Sequence, residues 1–417
     1  MTLAEIITIG DELLIGQVVD TNSAWMGQKL NEIGIKVYQK TSVSDNEQHI
    51  ISALNEAKQR ADLILITGGL GPTKDDLTKY TLCKYFKSNL RFDDNVFLDI
   101  EKIFKARGKE VTELNRKQAE VPEKCTVIQN SRGTAPGMLF EQDGKIFVSM
   151  PGVPHEMTVM MEKDVLNILK TKFKTPFILH KNILTQGIGE SFLSEMIEEW
   201  EDGLPANIKL AYLPSPGMVR LRLTGYGDND VELKKQIAGE INKLNALAGE
   251  YIYGYDDDTL EALVGKLLKE KKQTLATAES CTGGYIAHRI TNVPGSSEYY
   301  IGSVIPYSNR IKEDFLDVRK EIIKTDGAVS EEVVKQMAQH IKSKFKTDYA
   351  IACSGIAGPG GGTPEKPVGT VWIAIATPDE LVTKKLQLGS SRERVIMETS
   401  LNAMNMLRKI LTGTLKS

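Results

Sequence analysis

Three groups able to attack a carbonyl stand together at Ser280-Cys281-Thr282, inside the stretch AESCTGG, with Gly283 and Gly284 behind them. The preceding TLATAE is a short apolar run that predicts a strand, and GGYIAHRI reads as the helix that follows. A side chain at such a turn points into the crevice at the carboxyl ends of the strands, and the turn's N–H groups can face a developing oxyanion. That geometry suits a serine nucleophile. It suits a helix N-cap equally, since serine and threonine are favoured there. Two more loops after predicted strands add chemistry. VIPYSNRIK brings Tyr307 and Lys312, and CSGIAGPGGGTPEKPVGTVW brings Ser354 and a run of glycines. A serine paired with a lysine desolvated enough to be neutral needs no histidine. Lys312 can be that lysine, or it can lie on a solvated helix face. His288 falls on the predicted helix and would have to turn back to reach Cys281. A cysteine–histidine dyad is therefore poorly supported, and Cys281 reads as a small packing residue.

A second set of loops lies in the first 170 residues. TGGLGPTKDD, Thr67 to Asp76, follows an apolar strand and precedes a helix. Gly68, Gly69 and Gly71 permit close approach of backbone N–H groups to an anion, helped by the helix N-terminus. Asp75 and Asp76 are expected in the first helical turn, where they either cap the helix or hold a cation that bridges phosphates. GDELLIGQVVDTNS adds Asp11, Glu12, Asp20 and Asn22 at the end of the first strand. SRGTAPGM, with Gly133, and MPGVPHEM, with Pro151 and Gly152, are glycine and proline loops whose simplest reading is turn chemistry.

The elements that must position these residues alternate. LAEIITIG, IKVYQKTSV and ADLILIT are predicted strands; Thr21 to Ile33 and Asn46 to Arg60 are predicted amphipathic helices between them. This rhythm predicts an α/β fold, two α/β sandwich domains with mostly parallel sheets, each with helices on both faces. Near residue 172 the pattern changes to strands around one or two helices with proline-rich turns. The expected division is 1–171, a small α+β domain over 172–253, and a second α/β domain over 254–417.

Composition narrows the function classes. A net charge of −3 gives no support to non-specific nucleic-acid binding. No run of 18 apolar residues and no signal-peptide pattern are seen, so a cytoplasmic protein without a membrane segment is expected. The four cysteines are scattered, which predicts reduced thiols and neither a disulfide frame nor a zinc site. The histidines do not cluster either, so any metal is expected on carboxylates, which favours Mg2+ or a similar hard cation.

The motif order carries a family resemblance. GDELLIGQVVDTNS, TGGLGPTKDD, GTAPGM and PGVPHEM resemble the molybdopterin-binding-like domain of the competence/damage-inducible CinA family. Leu70 replaces the second threonine of the TGGTG form found in molybdopterin-binding relatives. The resemblance therefore implies a divalent-metal-dependent ADP-ribose pyrophosphatase in place of a molybdopterin site. It assigns nucleotide and phosphate binding to Asp11, Asp20, Asn22, Gly68, Gly69, Gly71, Asp76, Gly133, Pro151 and Gly152, and the metal to Asp76 and Asp75. TQGIGESFLSEMIEEW and AYLPSPGMVRLRLTGYG resemble the family's KH-like middle domain. GIGE is not the GXXG loop that clamps RNA, so a spacer or dimerisation role is expected.

AESCTGG, GSS, PYSNRIK, DGAVS, SGIAGPGGG and KPVGTVW resemble the C-terminal CinA domain, whose members include nicotinamide mononucleotide deamidase. That resemblance implies a cofactor-free Ser–Lys amidohydrolase with Ser280 as nucleophile, Lys312 as general base and Tyr307 as a partner. It places substrate contacts at Thr282, Gly283, Ser354, Gly355, Gly358 and Arg392. Family members often carry GDR before the last helix; here the segment is GSSRER, so Ser391 replaces the aspartate, Arg392 keeps the arginine and Arg394 is the fallback. The resemblance implies a homodimeric, bifunctional pyridine-nucleotide salvage enzyme. The alternatives are a non-catalytic nucleotide-binding protein of competence or DNA damage, and a molybdopterin-binding protein.

Overall fold

A computed structural model describes residues 2–73 and 76–415. They form two compact units, residues 1–179 with 226–233 and residues 180–225 with 234–417.

In the first unit six strands stand in the order Lys36–Val43, Leu3–Ile9, Leu63–Thr67, Lys145–Met150, Gly137–Gln142, Thr126–Ile128. The first three pairings are parallel and the last two antiparallel. LAEIITI and LILIT are apolar nearly throughout because both faces are covered. Ile6, Leu65 and Val148 pack on one side with Met26 and Leu30; Ile7, Ile66 and Phe147 pack on the other with Ile50 and Leu54. Asn46 caps the helix Glu47–Arg60 by accepting from the N–H groups of Gln48 and His49, and Gly34 takes a positive φ of 79° just after Thr21–Glu32.

In the second unit a five-stranded sheet runs Tyr300–Val304, Leu275–Glu279, Tyr349–Gly355, Thr370–Ala376, Leu381–Gln387. Its first two pairings are parallel and its last two antiparallel. The two faces differ in residue size. Leu275, Ile351, Ile373 and Ile375 meet the long helix Arg392–Leu411, while Ala276, Ala278, Ala350, Ala352 and Ala374 meet Glu331–Phe345. Alanines on a pleated face let a helix backbone come close, and branched side chains fill the thicker layer opposite. A separate four-stranded sheet, ordered Ile208–Ser215, Met218–Gly227, Phe177–Gln186, Ile252–Tyr255, carries the helices Glu190–Asp202 and Asp230–Ala248. No described helix is long and apolar enough to cross a membrane.

Candidate functional sites

In the second unit AESCTGG turns away from the sheet at Ser280, whose N–H still donates to the Cys353 carbonyl at 3.0 Å. Of the two readings of this turn, the serine N-cap is not formed. The helix is Tyr285–Thr291, and its cap position is Gly284, at φ 97° with a would-be Cβ 2.9 Å from Ile305. The capping work falls to Glu279, which is fully buried. Its carboxylate accepts from Ile286 N at 2.9 Å, Ala287 N at 2.8 Å and the Thr282 hydroxyl at 2.7 Å. A charge at a helix N-terminus is stabilised by the orphan N–H groups and the dipole. Thr282 thus belongs to the frame of the turn, and Ser280 is left free of capping duty.

Lys312 is the residue that meets Ser280. Ser308 caps the short helix Asn309–Asp314 through the Ile311 N–H, and that turn buries the Lys312 side chain almost completely. Lys312 Nζ lies 3.1 Å from Ser280 Oγ and donates to the Pro306 carbonyl at 2.7 Å. Burial pulls its pKa below the ordinary lysine value, because the charged form loses its hydration. Among the described residues no carboxylate is in polar contact with it. A lysine so placed shifts towards the neutral amine, which can take a hydroxyl proton.

Cys281 faces the other way. It packs in the apolar layer, and its hydrogen bond with Cys353, then burial, push the thiol well above its ordinary range. A thiol held protonated is a poor nucleophile.

The remaining residues of this set are spread around the turn. Tyr307 is exposed, and its hydroxyl accepts from Arg392 Nη2 at 2.8 Å, while Arg392 Nη1 donates to the Gly358 carbonyl at 2.9 Å. Arg392, the first residue of its helix, therefore ties PYSNRIK to the glycine loop. Arg394 is paired with Glu398. Ser354 is buried and donates to the Ala328 carbonyl at 2.8 Å, so it anchors DGAVS. Gly355 admits the Cys281 sulfur, 3.1 Å from where a Cβ would stand.

In the first unit a cavity of about 590 Å³ opens at the carboxyl ends of the parallel strands. Asp20, Asn22, Gly68, Gly69, Gly71, Asp76, Pro151 and Gly152 line it; Asp11 and Gly133 do not. Asp11 gives its N–H to Asp45 at 3.1 Å, and Gly133 leaves room for Glu156, 2.1 Å from a would-be Cβ. Gly68 has φ 113°, and a Cβ there would stand 2.1 Å from the Ile9 carbonyl, so only glycine fits.

The expected position of Asp76 in a first helical turn is corrected. The helix is Thr78–Tyr85, and Asp76 closes the glycine loop, accepting from Gly71 N at 2.8 Å and Thr73 N at 2.9 Å. Asp75 lies outside the described residues. Two of the three glycine N–H groups are spent inside the protein, since Gly68 donates to the Met150 carbonyl at 3.2 Å and Gly71 to Asp76. Sequence reasoning missed Asp45 and Gln118 on the wall, because neither belongs to a glycine-rich loop, and Glu156, which stands in MPGVPHEM but on the helix Pro154–Met160 that follows its turn. The carboxyl of Asp45 is raised, first by burial and then by the charges of Asp11, Glu12 and Asp76. Among the described residues no three His, Cys, Asp or Glu side chains converge as a complete metal ligand set.

Both sites lie where α/β folds build them, at strand ends, and the second presents a serine and a lysine in contact. Sequence comparison agrees with this layout. Residues 5–171 match the description "Probable molybdopterin binding domain", residues 180–254 "Damage-inducible protein CinA KH domain", and residues 257–411 "CinA C-terminal domain". A CinA-like protein of Cytophaga hutchinsonii is 50% identical over 98% of both chains. One from Flavobacterium psychrophilum is 47% identical over 97% of this chain and 98% of its own. The crystal structure of the competence/damage inducible protein CihA from Agrobacterium tumefaciens is 35% identical over 37% of this chain and 95% of that one, with a TM-score of 0.35. The chain belongs to the CinA family.

Proposed function

We propose that the second unit is a Ser–Lys amidohydrolase that converts nicotinamide mononucleotide and water into nicotinate mononucleotide and ammonia. The observation that carries the reading is the 3.1 Å contact of Ser280 Oγ with the buried Lys312 amine. Neutral Lys312 takes the Ser280 proton as Oγ adds to the carboxamide carbon. The resulting ammonium returns a proton to the departing nitrogen, and ammonia leaves. Water, deprotonated by the same amine, then attacks the acyl-serine and restores Ser280. The Pro306 carbonyl holds the amine against the hydroxyl throughout. Arg392 offers the substrate phosphate a guanidinium that Tyr307 and the Gly358 carbonyl keep extended.

The first unit is, in the same reading, a metal-dependent ADP-ribose pyrophosphatase. Glu12, Asp45 and Asp76 offer oxygen ligands only, which fits Mg2+ held by one or two carboxylates with water and ligand phosphate completing its shell. Bound there, the cation would neutralise diphosphate charge. The molecule would act in the cytoplasm as a homodimer on small nucleotides, with no nucleic-acid partner.

The test is ammonia release from nicotinamide mononucleotide by the wild type, Ser280→Ala and Cys281→Ala. Turnover by wild type and Cys281→Ala, with a folded but inactive Ser280→Ala, is expected. Full activity in Ser280→Ala would sink the serine mechanism. No turnover in any of the three would leave a binding scaffold.

A further inference from the structure

Two motifs of the second unit, DGAVS and KPVGTVW, are joined by a lysine that the proposed reaction leaves unused. DGAVS runs from the last residue of the helix Lys320–Asp326 to the residue before Glu331–Phe345. Its first four carbonyls all accept from side chains. Ser330 Oγ donates to Gly327 at 2.9 Å and Ser354 Oγ to Ala328 at 2.8 Å. Lys366 Nζ donates to Asp326 and, at 2.8 Å, to Val329. Ser354 follows Cys353, whose carbonyl receives the Ser280 N–H, so DGAVS is tied to the strand ends that carry the nucleophile. Lys366 reaches DGAVS from the glycine loop. That loop is paired at its neck, where Ile356 N donates to the Thr370 carbonyl at 2.9 Å and Gly369 N to the Ile356 carbonyl at 2.8 Å. Beyond the neck Pro359 to Glu365 are exposed and Lys366 is half-buried. Among the described residues, Lys366 Nζ is the one group of this tip hydrogen-bonded to another part of the protein. Gly360, Gly361 and Gly362 give the tip little stiffness of its own, and hydrogen bonds from an ammonium are stronger than neutral ones.

We propose that Lys366 is a positioning residue. It latches the glycine loop onto DGAVS and so, through the Gly358 carbonyl at the head of that loop, holds Arg392 in place for the substrate phosphate. The printed contacts form one chain: Lys366 with Asp326 and Val329, then along the loop to Gly358, then Gly358 with Arg392 Nη1 and Arg392 Nη2 with Tyr307. The inference rests on the amidohydrolase reading and deepens it by naming what keeps the phosphate contact fixed. The contact of Ser280 with Lys312 is secured separately, by the Pro306 carbonyl. Loss of the latch therefore weakens the grip on substrate and leaves the proton-transfer geometry alone, which separates KM from kcat.

The experiment uses the full chain and measures ammonia release from nicotinamide mononucleotide and from nicotinamide riboside, which lacks the phosphate. If the riboside is not turned over, its affinity is read as competitive inhibition. Lys366→Met should raise KM for the mononucleotide roughly tenfold, with kcat within about twofold and the pH midpoint of the rate unmoved. Its affinity for the riboside should match the wild type. Lys366→Arg can still donate to both carbonyls and should keep KM within about threefold. Lys366→Met added to Arg392→Met should cost nothing further, since both act on one contact. An unchanged KM in Lys366→Met overturns the inference. So does an equal loss for both substrates, or a fall in kcat at constant KM, either of which a merely structural lysine would give. Cleavage after Glu365 by a glutamate-specific protease tests the latch without the reaction, and should be roughly tenfold faster in Lys366→Met. If the wild type releases no ammonia yet this cleavage accelerates, the amidohydrolase reading fails and the latch stands. If ammonia is released and Lys366→Met changes neither KM nor cleavage, the reverse holds.

Discussion

The two sites differ in how far the empty protein completes them. Around Ser280 nearly every polar group is already engaged: Lys312 with Ser280 and Pro306, Glu279 with the helix N-terminus, Ser354 with Ala328, Arg392 with Tyr307 and Gly358. The cavity of the first unit is the opposite, lined by carboxylates, among them Asp45 with its pKa raised, and by two amides that each keep one buried atom without a partner. A set of groups that must pass one proton over one distance has to be preorganised, because misplacement costs rate directly. A site that selects a ligand can leave its demands open and let the ligand meet them. On the proposed readings, the contrast separates chemistry built into the fold from chemistry that would arrive with a ligand.

The sharpest way to break this comparison is Ser280→Ala. Ammonia release should fall by roughly a thousandfold or more, as for loss of an attacking nucleophile. Release of AMP from ADP-ribose should stay at the wild-type rate. A parallel loss of both would mean that the two sites are not separate machines.

Lys312 gives the next largest effect. Lys312→Arg keeps the charge but cannot be neutral near pH 7, so ammonia release should drop by about a hundredfold or more. Lys312→Met should be as inactive yet melt higher than the wild type at pH 7. The sign follows from the lowered pKa. The unfolded chain holds the lysine proton up to the ordinary value of 10.5, and the folded chain gives it up earlier. Between those two values unfolding takes up a proton, so stability rises with pH through the window. Below the window the buried charge is a fixed penalty, and methionine removes it. Melting curves of wild type and Lys312→Met, from pH 7 to 10.5, should therefore converge.

Much of this was legible in the sequence. The apolar runs of LAEIITI, LILIT and LATAE marked strands buried on both faces, and motif order alone joined Ser280 to Lys312 across 32 positions. What escaped was whatever depends on the direction of a side chain. Glu279 ends an apolar strand with nothing in its pattern to mark it, yet its carboxylate takes up the N–H groups that open the next helix. Asp76 reads as part of a helix, yet it closes a turn two residues before one. Gln118 lies in a 3-10 turn, Lys117–Ala119, with no glycine or charge pattern to mark it. Tyr307 and Arg392 stand 85 residues apart and meet only because the sheet brings their loops together.

Glu279→Gln tests the hidden cap. An amide nitrogen facing the Ile286 or Ala287 N–H leaves unmet donors, at a cost of about 2–4 kcal/mol. Thermal melts should show that loss, with ammonia release reduced roughly tenfold as the turn loosens. Cys281→Ala should matter least, with turnover within about twofold of wild type and about 1–2 kcal/mol of packing lost.

The pH dependence of kcat/KM for ammonia release tests the central claim most directly, because the rate must follow the fraction of Lys312 that is neutral. The account predicts a rate that climbs with pH along a single ascending limb, with its midpoint below the ordinary lysine value of 10.5. It also predicts that Lys312→Arg has lost both the limb and the rate. A wild-type profile that is flat, or a limb that survives in Lys312→Arg, would contradict a neutral lysine acting on Ser280.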